Sequence, residues 1–448
     1  MDIDTHSPGY DCDCKRWHLV DSVMGGTESM RKAGKALLPQ EEGESDKAYE
    51  MRLNRSTFYN RFSKAVRNTS GKLMANGFHL TETVPENIAV MLEDADQEGR
   101  DLNQFLSEVC EEAMAKGVSY VLCEYPIVEG LLTREEEILA GVRPYLVHIP
   151  PQKIFYWEVR NRKLEVIRFH EEVIIDNEEI CQIREITPYS WAIYRRNEKS
   201  IWTLYSEGAS TLGIIPIVSF YTRRTGFMSA RPPLEDLMHV NIAHWQSSSD
   251  QRHILHIARV PILFGTGLED GIFEIGPNRL IRAEQGAELK FIEHSGKSIE
   301  AGSADIKALE EQMEQLSFSP TLQTEPGIQT ATAHAIDSAE AQSTLQLVRS
   351  MWEDSANLLL SYFAKWMNID IQQPAVTLVL PDTQKLTPSE GIGELSKARI
   401  SGDISRQAYL VELVRRGILN EEFNQEEDAL LIDQEAKELM INIPQGAQ

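Results

Sequence analysis

The hydrophobic period along the chain changes several times, and each change marks a region. Met1 to about Gly43 is broken throughout by Gly, Pro, Asp and Ser, which predicts an irregular arm lying on something else. From Ser45 to Asn76 the period is helical. Phe58, Phe62, Val66, Thr69 and Leu73 fall on one stripe, and Gly77 ends it. Pro85 to Lys116 predicts two more helices, the second capped by Asp101.

From Gly117 the apolar runs become short, β-branched and aromatic. GVSYVLCEYP, RPYLVHIP and KIFYWEV predict strands ended by proline or polar clusters. LEVIRFHEEVII, CQIREI, SWAIYRR and IWTLYSEG continue the pattern as an antiparallel meander, with a hairpin turn at Asp176-Asn177. IIPIVSFY is a further strand.

The pattern then lengthens again. Pro233 to Arg259 holds no glycine and no internal proline, opens on Pro232-Pro233 with Glu235 and Asp236 in its first turn, and stops before Pro261. As one helix it spans roughly 40 Å. Val260 to Ile292 returns to short strands broken by glycine. Ser303 to Leu316 predicts a second amphipathic helix, with Ile306, Leu309, Met313 and Leu316 at near-heptad spacing. SFSPTLQTEPGIQTATA, Ser317 to Ala333, predicts a loop. Ala335 to Met367 predicts a third long helix of roughly 50 Å, striped by Leu345, Val348, Trp352, Ala356, Leu359, Phe363 and Trp366. VTLVL (Val376 to Leu380) is a last strand. Thr387-Pro388-Ser389-Glu390 reads as a capping box, and Gly402 and Gly417 punctuate two short helices. The class is α+β with very long helices.

Length and composition fit this picture. With 448 residues, 42% hydrophobic and 25% charged, the chain has material for two or three domains. No apolar run reaches the ~18 residues of a membrane span. MDIDTHSPGYDCDC lacks the basic start and apolar stretch of a signal peptide, so an intracellular, unprocessed protein is expected. Cys12 and Cys14 form a C-x-C pair with no second pair to complete a zinc site, and the five cysteines make no disulfide framework.

Charge changes the picture more. The net charge of −25 argues against a tight grip on nucleic acid, which requires Lys and Arg to neutralise phosphates; it does not argue against nucleic acid sliding past. Met51 to Asn76 carries six bases (Arg52, Arg55, Arg61, Lys64, Arg67 and Lys72) and no acid, whereas Asn420 to Leu439 carries eight acids and one Lys. Such asymmetry marks a contact with a subunit or partner, or else two solvated faces.

Candidate chemistry is thin. HVNIAHWQSSSDQRHILHIARVP holds His239, His244, His253 and His256, but on a helix only His253 and His256 can meet, and no HExxH accompanies them. Apolar residues occur on all sides of this helix, around a polar waist at Ser247 to Asp250, as in a helix packed between copies beside a wet surface. Two phosphate-loop near misses fail: Phe291 stands where HSGKS needs a glycine, and Ser29 and Ala36 spoil AGKA. Asp2/Asp4 and Asp11/Asp13 read as solvated acids. No GxSxG or GxGxxG is present. The residues therefore point to no enzyme, no cofactor and no metal, but to a structural protein that works as an assembly.

The order of these blocks resembles tailed-bacteriophage portal proteins, in particular a portal-like family formerly catalogued as a domain of unknown function. The likeness is carried by GGTESMRKAGKALLPQEEGESDKAYEMRLNRSTFYNRF, RPYLVHIPPQKIFYWEV, and LGIIPIVSFY followed by PPLEDLMHVNIAHWQSSSDQRHILHIARVPILFGTG. It continues through GAELKFIEHSG, ALEEQMEQL, QTATAHAIDSAEAQSTLQ and LTPSEGIGELSKARISGDISRQAYLVELVRRGIL, from roughly Gly25 to Leu419. The resemblance implies a homo-oligomeric ring, usually of twelve subunits, at one capsid vertex of the virion. Double-stranded DNA would be packaged through it by the terminase without sequence specificity and later ejected. Major capsid or scaffolding protein and a neck or adaptor protein would be further partners, and no membrane is involved.

It implies a portal fold in these parts: an N-terminal arm (1–44), a wing (45–232), stem helix 1 (233–259), a clip (260–302), stem helix 2 (303–316), a channel loop (317–334), a long wing helix and strand (335–383), and a small helical crown (384–448). Thr321, Gln323, Thr324, Gln329, Thr330 and Thr332 would lie in the channel loop. His239, Trp245, Asp250, Arg252, Glu310 and Glu314 would lie on the stem. Arg52, Arg55, Arg61, Lys64 and Arg67 would face a subunit or DNA. The alternatives are a head–tail adaptor or minor capsid protein, and a metal-dependent nuclease.

Overall fold

The computed structural model describes residues 2–126, 136, 141–175, 177–197, 200–259, 262–266, 288–292, 297–317, 331–380, 392–415, 418–419, 423 and 428. The chain divides into two units, Met1–Leu380 and Pro381–Gln448.

The first unit corrects the reading of its N-terminus. In place of an irregular arm, Tyr10–Met24 (α1) and Gly26–Ala33 (α2) are helices. Their apolar stripe is sparse. Tyr10, Trp17, Val20 and Val23 are nonetheless buried, and Trp17 Nε1 donates to the Lys116 carbonyl at 3.2 Å. Tertiary docking, rather than local pattern, makes this helix. The single helix expected over Ser45 to Asn76 is also corrected: it is two, Asp46–Arg55 (α3) and Arg61–Met74 (α4). Ser56 is extended, and Asn60 starts a new helix by accepting the Ser63 N–H at 2.9 Å. The stripe from Phe58 to Leu73 is buried as expected.

Phe78–Leu80 (β1) and Glu86–Met91 (α5) lead to Leu102–Lys116 (α6), which Asp101 caps by accepting the Gln104 N–H at 2.9 Å. Val118–Glu124 (β2) and Tyr145–Ile149 (β3) follow, then the expected meander of Ile154–Arg160 (β4), Lys163–Ile175 (β5), Glu178–Ile186 (β6), Ser190–Arg196 (β7) and Trp202–Ala209 (β8). The meander is a five-stranded antiparallel sheet in sequence order, and the pairing of Ile175 with Glu178 sets its second hairpin at the expected two-residue link, of which Asp176 lies outside the described residues. Ile217–Tyr221 (β9) instead joins β2 on the side away from β3. Arg224–Gly226 (β10) and Ser229–Ala230 (β11) form a small hairpin.

Strand β2 is the hinge of the core. Val121 and Cys123 face one apolar cluster with α4, α6 and the later long helix; Val118, Tyr120 and Leu122 face another with the meander. Alternate side chains point to opposite faces, so a strand covered on both reads as a continuous apolar run.

Three long helices complete this unit: Glu235–Ala258 (α7), Lys297–Leu316 (α8) and Ala331–Trp366 (α9). Helix α8 starts six residues before the expected Ser303, and α9 takes in the last residues assigned to the channel loop. Between α7 and α8, Ile262–Thr266 (β12) pairs antiparallel with Glu288–Ile292 (β13). Val348, Trp352, Ala356, Leu359 and Phe363 of α9 are buried, and Trp352 Nε1 donates to the Tyr221 carbonyl at 3.0 Å. Val376–Leu378 (β14) returns to pair with β1. In the second unit, Ile392–Ser401 (α10) and Arg406–Arg415 (α11) are the helices described; the capping box at 387–390 lies outside the described residues.

Candidate functional site

Helices α7 and α8 form an antiparallel pair. His244 Nε2 lies 3.3 Å from Glu310 Oε1, Ser247 Oγ donates to Asp305 at 2.6 Å, and Gln251 Nε2 donates to the Ile299 carbonyl at 2.9 Å. As the number rises on one helix it falls on the other. Gly302 lets them approach: a Cβ there would stand 2.1 Å from Gln251 Oε1. With β12 and β13 between them, the two helices make one long hairpin.

The root of this hairpin is fixed to the body by a side chain the sequence reading passed over. Asn241 is fully buried. Its Oδ1 accepts the N–H groups of Arg61 and Phe62, both at 2.9 Å, and its Nδ2 donates to the Tyr59 carbonyl at 2.9 Å. Asn60 takes the third amide, so of the first-turn donors of α4, which have no partner within their own helix, two are satisfied by α7 and one by the helix's own cap. The available signal was an amide in the otherwise apolar run HVNIAHW. One turn on, Trp245 is fully buried against Phe58, ring centroids 6.2 Å apart.

The four histidines separate as the helical wheel requires. His239 is exposed, His244 faces α8, and His253 and His256 face α3. There they line a cavity of about 460 Å³ together with Arg52, Arg55, Ser249, Arg252 and Arg259. Arg52 is its buried floor. It grips Glu44 through two bonds of 2.9 Å, donates to the Pro39 carbonyl at 2.7 Å, and reaches Asp250 at 3.3 Å. The bond to Arg52 holds the Glu44 carboxyl below its ordinary pKa. Asp250 moves the other way, raised by burial with Glu41 and Glu44 nearby, because Arg52 spends its best geometry on Glu44.

The remaining sequence-selected bases scatter. Arg55 is exposed, Arg61 lies 3.5 Å from Glu314, Lys64 is exposed, and Arg67 pairs with Glu111 at 3.1 Å across the surface. Arg52, Arg61 and Arg67 thus have carboxylate partners within this chain. Arg252 is exposed and donates to Thr57 Oγ1 at 2.8 Å. Thr321, Gln323, Thr324, Gln329 and Thr330 lie outside the described residues; Thr332 falls in the first turn of α9. Among the described residues no group of three or more His, Cys, Asp or Glu could hold a metal ion, and no helix is long and apolar enough to cross a membrane.

A family model described as a domain of unknown function (DUF4055) matches residues 233–367, the segment from the start of α7 to the end of α9. No curated protein matches the chain. Among solved structures, the chain is similar to a chain in the virion of a native gene transfer agent particle, with TM-score 0.41 and 14% identity over 78% of this chain and 88% of that one. It is similar to a chain in the neck of the empty particle computed with C6 symmetry (TM-score 0.41, 14% identity, 83% and 94% covered). A third likeness is to the neck of the native particle computed with C12 symmetry (TM-score 0.39, 13% identity, 78% and 88% covered).

Proposed function

We propose that this chain is the subunit of a phage portal: a ring at one capsid vertex through which double-stranded DNA is packaged and later leaves. The observation that carries the reading is the α7–α8 hairpin. Two long antiparallel helices bracket a strand pair and are rooted by Asn241 in a body of helices and sheets. That is the order of stem, clip and wing which the sequence resemblance implies. In this reading α7 and α8 are the stem, the strands between them the clip that meets the terminase and later the neck protein, and α9 the long wing helix. The second unit is a small crown.

The physical chemistry supports a conduit in preference to an enzyme. Helix α8 buries little of its own surface: among its described side chains Met313 is the one fully buried, and a helix so exposed needs neighbours. A ring of chains each of net charge −25 would repel phosphates overall, so DNA slides past rather than sticks. The twelve-fold ring, the capsid or scaffolding contact and the virion location belong to the same proposal. Native mass spectrometry of the full-length chain, with negative-stain images of the same sample, tests it. A closed ring near twelve copies of the 50.8 kDa chain with a central hole is the expected result. A monomer or dimer at every protein concentration and salt tried would overturn it.

A further inference from the structure

The cavity between α3 and α7 holds more guanidinium groups than this copy of the chain neutralises: Glu44 and Asp250 pair with Arg52 alone. Arg55, Arg252 and Arg259 have no carboxylate partner among the described residues, although acids outnumber bases by 69 to 44. Ser249, only 3% exposed, has an Oγ with no hydrogen-bond partner, and so does the buried Nδ1 of His253. Guanidinium forks match planar oxyanions, and clustered cations in a part-enclosed cavity repel one another until an anion enters.

We infer that this cavity receives carboxylates from α8 of a second copy of the chain. The inference rests on the ring reading and names the surfaces that join its subunits. Three observations choose the occupant. First, α8 carries five carboxylates against two lysines. Second, Glu300 and Glu311 project from the side of α8 turned away from α7; both are exposed, lack an ion-pair partner among the described residues, and stand three turns apart. Ala301, Ala304 and Ala308, also exposed, add little bulk on that side, and Lys307, exposed as well, stands between the two glutamates on the same stripe. Third, the cavity and the acidic face lie on opposite sides of α7. His244, Ser247 and Gln251 point to α8; Ser249, His253 and His256 point about half a turn away at ~100° per residue, and Arg252 and Arg259 about a quarter turn away. A basic patch on one side and its acidic complement on the other make a head-to-tail contact, which repeats from copy to copy and gives a ring when the rotation between copies closes.

Charge reversal tests the pairing in the full-length chain. Arg252→Glu with Arg259→Glu, and separately Glu300→Arg with Glu311→Arg, are read by native mass beside the wild type, with circular dichroism for folding. All four positions are exposed, so the reversals leave the core intact. The expected result is a wild-type ring, each double variant reduced to single subunits, and restoration of the ring in the quadruple variant. A wild-type ring with rings also in both double variants overturns the inference and leaves the portal reading standing. A wild type that forms no ring overturns both. Rings in the double variants, with loss of binding to a 20-base-pair DNA duplex in the arginine variant alone, would assign the cavity to phosphate and overturn the inference.

Discussion

Asn241→Ala isolates the joint between the α7–α8 hairpin and the body. The substitution removes three hydrogen bonds of 2.9 Å at once and leaves the volume of an amide empty. The partners differ in what they can recover. Phe62 is fully buried, so its N–H loses its partner with no water to replace it, a loss of ~1–3 kcal/mol. Tyr59 is 54% exposed and Arg61 half-buried, so those groups can rehydrate, and each bond is worth ~0.5–1.5 kcal/mol net. The sum is about 2–6 kcal/mol. Urea unfolding followed by tryptophan fluorescence measures it, since Trp245 lies one turn from the substitution. The midpoint should fall with little change in slope. A second readout is assembly: a loosened hairpin root should lower the fraction of chain in rings even where the subunit stays folded. A loss below ~1 kcal/mol with assembly unchanged would refute the claim that Asn241 fixes the hairpin.

Gly117 has φ +94, and a Cβ there would stand 2.3 Å from the Arg231 carbonyl oxygen, so Gly117→Ala should cost more than about 2 kcal/mol or abolish soluble expression; a wild-type melting temperature would contradict this. Lys116 is 1% exposed between Asp21 (2.6 Å) and Glu112 (2.7 Å), so Lys116→Met should destabilise by about 3 kcal/mol, and adding Asp21→Asn and Glu112→Gln should recover at least half of that in denaturant midpoint. Burial, aided by Lys116, Arg100 and Lys153, lowers the His148 pKa to about 4. The unfolded chain therefore binds a proton near pH 6.5 that the folded chain refuses until about pH 4; stability should fall through that window by up to about 3 kcal/mol, and His148→Gln, still within reach of Ser119, should flatten the slope.

The sequence disclosed some elements better than others, for physical reasons. Strands of the meander and the stripe of α9 were legible because one face of each is apolar at the right period. Helix α1 was not, because four buried side chains in fifteen residues give a faint stripe, and its stability comes from Trp17 docking on α6. The break between α3 and α4 was hidden because Phe58 continues the stripe of α4 while sitting outside it. At the candidate site, the helical period brings His253 and His256 to one side of α7, yet the cavity they line also needs Arg52 and Arg55 of α3, some two hundred residues away in sequence. Asn241 was invisible to periodicity, since only the fold reveals which helix start it caps. The basic run from Met51 is legible as charge but not as pairing, since its partners are distant in sequence: Glu44, Glu314 and Glu111 take Arg52, Arg61 and Arg67.

The hairpin assignment itself is best tested by electron cryomicroscopy of the assembled full-length chain at a resolution that separates helices. The expected map shows α7 and α8 of every copy side by side around a central hole, with β12 and β13 together at one mouth. A ring whose hole is walled by the five-stranded meander, or an assembly with no hole, would contradict it.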